Sequence, residues 1–258
     1  MSTLLSLTAA AATAVVVSVG SAGGATAKVK PPVVISAAGN IIPALEQFRA
    51  MQGDNLGNKP PASKGRREIN WDGVPDDKAA PAFLPSDFFK GRGVILKTPG
   101  QGVMVSARAG NPAGVLRRFG QINPTYEKTF QPFSAERMFS PVGSNVVDLT
   151  FVVSGTARPA IARGFGAVYI DVDQEHTAFE FFDANDQSLG KFPVPPMNDG
   201  FSFLGVMFDR PIVARVRITY GTTELGPDDG PQADVAVMDD FIYDEPQRIR
   251  RTKAASRY

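Results

Sequence analysis

The sequence predicts an all-β, jelly-roll-like β-sandwich with a short N-terminal amphipathic helix, on three observations. From Phe83 onward, short strand-like runs alternate with Gly, Pro, Asn and Asp at regular spacing, and no long helical periodicity intervenes. The 258 residues include 25 Gly, 21 Pro and 18 Phe against one Trp, a turn-rich balance that suits short strands. The last apolar run, Ala233 to Pro246, places Val235, Val237, Phe241 and Tyr243 on the alternation of a half-buried strand, broken by the adjacent acids Asp239 and Asp240.

Residues 1–27 run through Leu4-Leu5, Ala9 to Ala12 and Val15 to Val17 and reach Ala25-Thr26-Ala27 before the first lysine, Lys28. An apolar stretch ending in A-x-A is the pattern of a secretory signal peptide, here cut after Ala27. The expected location is therefore secreted or cell-surface, with no integral membrane segment in the mature chain. Residues 28–64 read as an extended segment, a helix and a linker. Pro31 and Pro32 extend the chain, Asn40 caps, Pro43 sits in the first turn, and Ile41, Leu45 and Phe48 form one apolar stripe before Gly53. Such a helix packs on the outside of the sandwich or covers an edge strand.

Residues 65–246 form the sandwich domain. Strands are predicted near 93–97, 103–107, 128–133, 146–153, 167–173, 178–183, 189–194, 202–208, 213–219 and 235–243. Arg215 and Arg217 alternate with Val216 and Ile218, giving one wet and one dry face. Residues 247–258 hold Arg248, Arg250, Arg251, Lys253 and Arg257 with no acid, and read as a basic disordered tail.

Composition removes much chemistry. Without cysteine there is no disulfide, iron–sulfur cluster or cysteine nucleophile. A single histidine, His176, excludes multi-histidine metal sites and would have to serve as base in any serine hydrolase. The net charge of +1 predicts no nucleic-acid partner.

Two stretches carry the candidate site. In a regular strand, Asp239 and Asp240 point to opposite faces, so one heads inward and requires a cation, a basic side chain or backbone amides beside it. Glu68, Asn70 and Asp72 alternate with Ile69 and Trp71, placing three oxygen-bearing side chains on one strand face. Calcium takes six to eight oxygens, so Glu68, Asn70 and Asp72 together with Asp239 and Asp240 predict a calcium ion joining first and last strands. The competing reading pairs these acids with arginine or backbone. Asp171 and Asp173 at a strand end, followed by Glu175 and His176, provide a second cation site or a catalytic carboxylate pair, or simply a charged strand end. Asp183 to Ser188 imitates a calcium loop but has Ser188 where glycine belongs and Val194 where glutamate belongs, so a hairpin turn is expected.

The set Leu45 to Ala50, Gly65 to Pro75, Gly164 to Asp173, Ser202 to Val206 and Met238 to Tyr243 resembles a group of secreted bacterial proteins without an assigned activity. That resemblance implies export and fold across about residues 41–246. The Asp239-Asp240-Phe241 strand is also similar to that of calcium-containing carbohydrate-binding jelly rolls. Three functions follow as expectations. The first is a non-catalytic binding module for a glycan or other extracellular polymer, with Trp71, Tyr126, Tyr169, Tyr220 and Tyr243 as rings able to stack on sugar. The second is a polysaccharide hydrolase or lyase using Asp171, Asp173, Glu175 and His176. The third is a structural or adhesive surface protein without a small ligand.

Overall fold

The computed structural model describes residues 30–249. The predicted leader and the tail from 250 onward lie outside the described residues. In chain order the first strands are β1 (Val33–Ala38), β2 (Arg66–Ile69), β3 (Val94–Lys97), β4 (Gly102–Val105) and β5 (Phe139–Val142). Helix α1 (Ile42–Gln52) follows β1, and the one-turn helix α2 (Tyr126–Thr129) precedes β5. Then come β6 (Val146–Phe151), β7 (Ala160–Ile161), β8 (Gly164–Val172), β9 (Ala178–Phe182) and β10 (Ser188–Pro193). The last are β11 (Met197–Met207), β12 (Arg215–Thr219), β13 (Val237–Asp244) and β14 (Gln247–Arg248).

The fold is the expected all-β sandwich. One sheet has the order β1-β11-β8-β13-β5-β4, with β2 also paired to β13, and the other has the order β10-β9-β12-β6-β3. All pairings within both sheets are antiparallel. Phe139, Phe165, Tyr169, Phe241 and Tyr243 of the larger sheet meet Leu149, Phe151, Phe179, Phe181 and Val216 of the smaller one in a single apolar core. Hydrophobic burial between two layers is what holds such a fold.

The outer faces differ. On the smaller sheet the outer face is wet, and one line of neighbouring residues crosses all five strands as Lys97, Asp148, Arg217, Glu180, Lys191, alternating in sign. Arg217 and Arg215 both bond Asp148, at 2.8 Å each, and Arg215 also lies over the ring of Phe182. Opposite charges on neighbouring strands stabilise the pairing and keep this face soluble.

The larger sheet is covered on both sides, so β8 is buried at every position, without the alternation of a one-sided strand. Part of its outer face lies under α1, where Ile41, Leu45 and Phe48 meet Val168, Phe203 and Ile242. The rest lies under the segment containing α2, where Phe119, Tyr126 and Phe130 meet Ile170 and Val237. Gly166 and Gly205 face each other across β8 and β11 and form the socket for Phe48. A Cβ at Gly205 would lie 2.6 Å from the Phe48 ring, and one at Gly166 would lie 2.7 Å from it.

Four sequence expectations change. The predicted strand at 128–133 is instead the end of α2 and a loop, because Tyr126 and Phe130 bury together at helical spacing. Asn40 does not cap α1: Ile41 holds the N-cap position with no side-chain cap bond, and Pro43 lies in the first turn. The boundary at residue 65 divides elements that pack as one unit, since β1 pairs with β11 along its full length. At the other end, Gln247 and Arg248 pair with β7 instead of opening a tail.

Candidate metal centre

Strand β13 contains a bulge at the two acids. Met238 stands opposite Tyr169 and Phe241 opposite Ala167, so Asp239 and Asp240 together face the single residue Val168. The extra residue turns both carboxylates to the outer side, and neither enters the sandwich core as regular alternation predicts. Ser134 Oγ lies 2.9 Å from Asp239 Oδ1 and 2.9 Å from Asp240 Oδ1. Its one proton serves only one of these contacts, so the other bond takes a proton from the acid pair. Asp239 Oδ2 accepts from the amides of Phe133 at 2.7 Å and Ser134 at 3.1 Å. Trp71 Nε1 donates to the Asp239 carbonyl at 2.8 Å, satisfying the backbone of the bulge. Burial first, and the Asp240 charge second, push Asp239 up to about 8.

The cation beside this pair is an arginine of α1. Arg49 Nη2 lies 2.9 Å from Glu68 Oε2 and 3.5 Å from Asp240 Oδ2, and its Nη1 donates to Glu46 Oε1. Arg66 Nε holds the other Glu68 oxygen. Glu68, Asp239 and Asp240 are thus brought together between β2 and β13, with Arg49 and Ser134 satisfying them. Asp72 lies elsewhere, its Oδ1 accepting from the amides of Glu136 and Arg137 at 3.1 Å each. Asn70 is exposed on a groove beside Trp71. The five predicted ligands do not converge on one point.

A different group of acids does converge. Asp171, Asp173 and Asp229 each offer a carboxylate oxygen within 4.8 Å of the other two, and could hold a metal ion. Asp171, next to last in β8, has a left-handed backbone at φ 63° and is 1% exposed. Its Oδ1 accepts from the Asp199 amide at 2.7 Å, while its Oδ2 is buried without a hydrogen-bond partner. Asp173 Oδ1 is likewise buried and unpartnered. Asp234 orients the loop, accepting from the amides of Asp173 at 3.4 Å and Gln174 at 3.0 Å. Asp229 Oδ1 accepts from the Val235 amide at 2.9 Å. Among the described residues, no Lys, Arg or His forms an ion pair with Asp171, Asp173, Asp199, Asp229 or Asp234. Burial first, then the facing acids, push Asp171 up to about 7 and raise Asp173 and Asp229 as well.

Asp171 and Asp173 were legible as an alternating acid pair. Asp229 was not, because its Gly226-Pro227-Asp228-Asp229-Gly230 context reads only as a turn and 58 residues of chain separate it from Asp171 of β8. Glu175 and His176 are exposed on the loop after β8. Asp183 caps the expected hairpin turn, its Oδ1 accepting from the amides of Asn185 and Gln187. All five rings considered for sugar stacking are buried: Trp71 and Tyr220 are 1% exposed and Tyr126, Tyr169 and Tyr243 are fully covered.

No helix among the described residues is long and apolar enough to cross a membrane. The chain matches no family model, and comparisons with curated proteins and with solved structures return no match.

Proposed function

We propose that this chain is a secreted or cell-surface, non-catalytic binding or surface protein whose fold is held at one end by calcium bound to Asp171, Asp173 and Asp229. The observation that carries the reading is the buried, unpartnered Asp171 Oδ2 aimed among carboxylates with no cationic partner. A buried carboxylate left without a partner is strongly unfavourable, whereas a divalent cation converts three of them into ligands. Two oxygens on opposite sides of a calcium ion lie about 4.6–5.2 Å apart, so a trio within 4.8 Å needs little adjustment to close on one. The hard cation suits an all-oxygen set, with carbonyls and waters completing the shell. A third acid at the same point favours an ion over the acid–base pair of a hydrolase or lyase. The resemblance to secreted bacterial proteins is part of the same reading. With the stacking rings buried, a glycan or other extracellular polymer would be held through other groups.

A melt of the protein starting at Lys28, in excess calcium and then in chelator, tests it. At a calcium concentration about a hundredfold above Kd the stabilisation is about 2.7 kcal/mol, or roughly 5–11 °C for a domain of this size. Asp171→Asn abolishes the calcium response. An unchanged melting temperature on adding chelator to the calcium-loaded protein rejects the calcium site.

A further inference from the structure

A groove of about 350 Å³ opens beside the second strand, between Asn58, Asn70, Trp71, Phe88, Phe89 and Arg92. Its size is at the small end for small-molecule sites. Phe88 and Phe89 are half-buried, so each shows part of its ring to the groove while the rest packs on the core. Trp71 closes the floor, edge-on to Phe89 at 5.4 Å and stacked on Phe139 at 4.2 Å. Gly73 and Gly91 also line it, and a Cβ at either would meet nothing within 4 Å. The mouth is therefore kept clear of side chains.

The polar groups are of one kind. Arg92 Nε donates to Asn58 Oδ1 at 3.0 Å and Nη1 to the Glu68 carbonyl at 2.6 Å, and the guanidinium lies 5.9 Å from the centre of the Phe89 ring. These bonds fix its direction without neutralising it: among the described residues no carboxylate lies within ion-pair distance of Arg92. Asn58 and Asn70 are exposed, and amides both donate and accept, as hydroxyls do. Nothing lining the groove is acidic.

We infer that this groove binds a short acidic saccharide, with a uronate carboxylate on Arg92, the C–H face of the ring on Phe88 and Phe89, and hydroxyls on Asn58 and Asn70. A fixed guanidinium engages a carboxylate through paired N–H donors, and aromatic faces accept the apolar side of a sugar. The inference rests on the binding-protein reading and names the ligand class and its place, remote in sequence from the calcium ligands.

The chain's one tryptophan is the floor of the groove, so its fluorescence reports occupancy directly. The protein starting at Lys28 is titrated with an oligogalacturonate and with the neutral galactose oligomer of equal length, in calcium and well below the melting temperature. The expected result is a saturable change with the acidic oligomer, weakened by added salt and at least tenfold by Arg92→Gln. Asn70→Ala, whose side chain makes no bond among the described residues, weakens binding severalfold and keeps the test decisive if Arg92→Gln does not fold. Absence of a saturable change, equal binding of the neutral oligomer, or equal binding of a poly-glutamate peptide overturns the assignment. Failure here leaves the calcium-dependent melt unaltered, and failure of that melt leaves this titration readable.

Discussion

Two acidic clusters sit on the larger sheet, and they differ in what surrounds them. Around Asp239 and Asp240, chain folding supplies a guanidinium, a hydroxyl and two amides, and Glu68 shares the same arginine. Around Asp171, Asp173 and Asp229 it supplies amides and further acids, and two buried oxygens have no partner. An acid cluster alone is therefore a poor sign of a metal. The informative difference is whether the protein has completed the electrostatics by itself, since a buried carboxylate without compensation is costly. The first cluster fastens α1 to the sheet, whereas the second has no cation of its own and could hold an ion from outside.

The largest test removes the internal cation. Arg49→Leu leaves the buried Asp240 without its charge partner and the half-buried Glu68 with Arg66 alone, and lowers unfolding free energy by about 3 kcal/mol in urea titrations, equally in calcium and in chelator. A calcium-dependent rescue of this variant would erase the distinction between the clusters.

A smaller, opposite effect is expected of Asp171→Asn. It removes the roughly 2.7 kcal/mol of calcium stabilisation, yet in chelator it melts at or above the wild type because one buried, repelled charge is gone. If it also destabilised the chelated protein, Asp171 would be a fold acid like Asp240.

The smallest effect, per step of pH, belongs to the proton shared by Asp239 and Asp240. Its folded-state value lies above the ordinary 3.8, at about 8 for Asp239. The stabilisation is therefore complete below about pH 4 and is lost as pH rises through 8, by no more than about 1.4 kcal/mol per unit for one proton. In chelator, the urea midpoint falls from pH 6 to pH 9, and Asp239→Asn reduces that fall, leaving the part that belongs to the raised Asp171 and Asp244.

Much of the fold was readable because it depends on short-range alternation. Strands such as β6, β9 and β12 show period-two patterning with turn residues at their ends, and the helical stripe of Ile41, Leu45 and Phe48 faces the sheet as its spacing requires. The misreading at 128–133 arose where four residues of helix carry too little periodicity to separate from a strand. Glu68, Asp239 and Asp240 were legible as candidate oxygens, but Glu68 stands opposite Ile242 in the β2–β13 register, and only packing brought Arg49 between it and Asp240.

The sequence by itself determined the two-layer architecture, the exclusion of thiol and multi-histidine chemistry, and the presence of acids on β8 and β13, because these follow from composition and periodicity. Only the tertiary structure decided which acids are satisfied. A one-residue bulge turned Asp239 and Asp240 to the same side, α1 carried Arg49 across to them, and a turn 56 residues beyond Asp173 brought Asp229 to Asp171. Each depends on long-range packing, and compensation of a buried charge is a property of the neighbours that packing delivers.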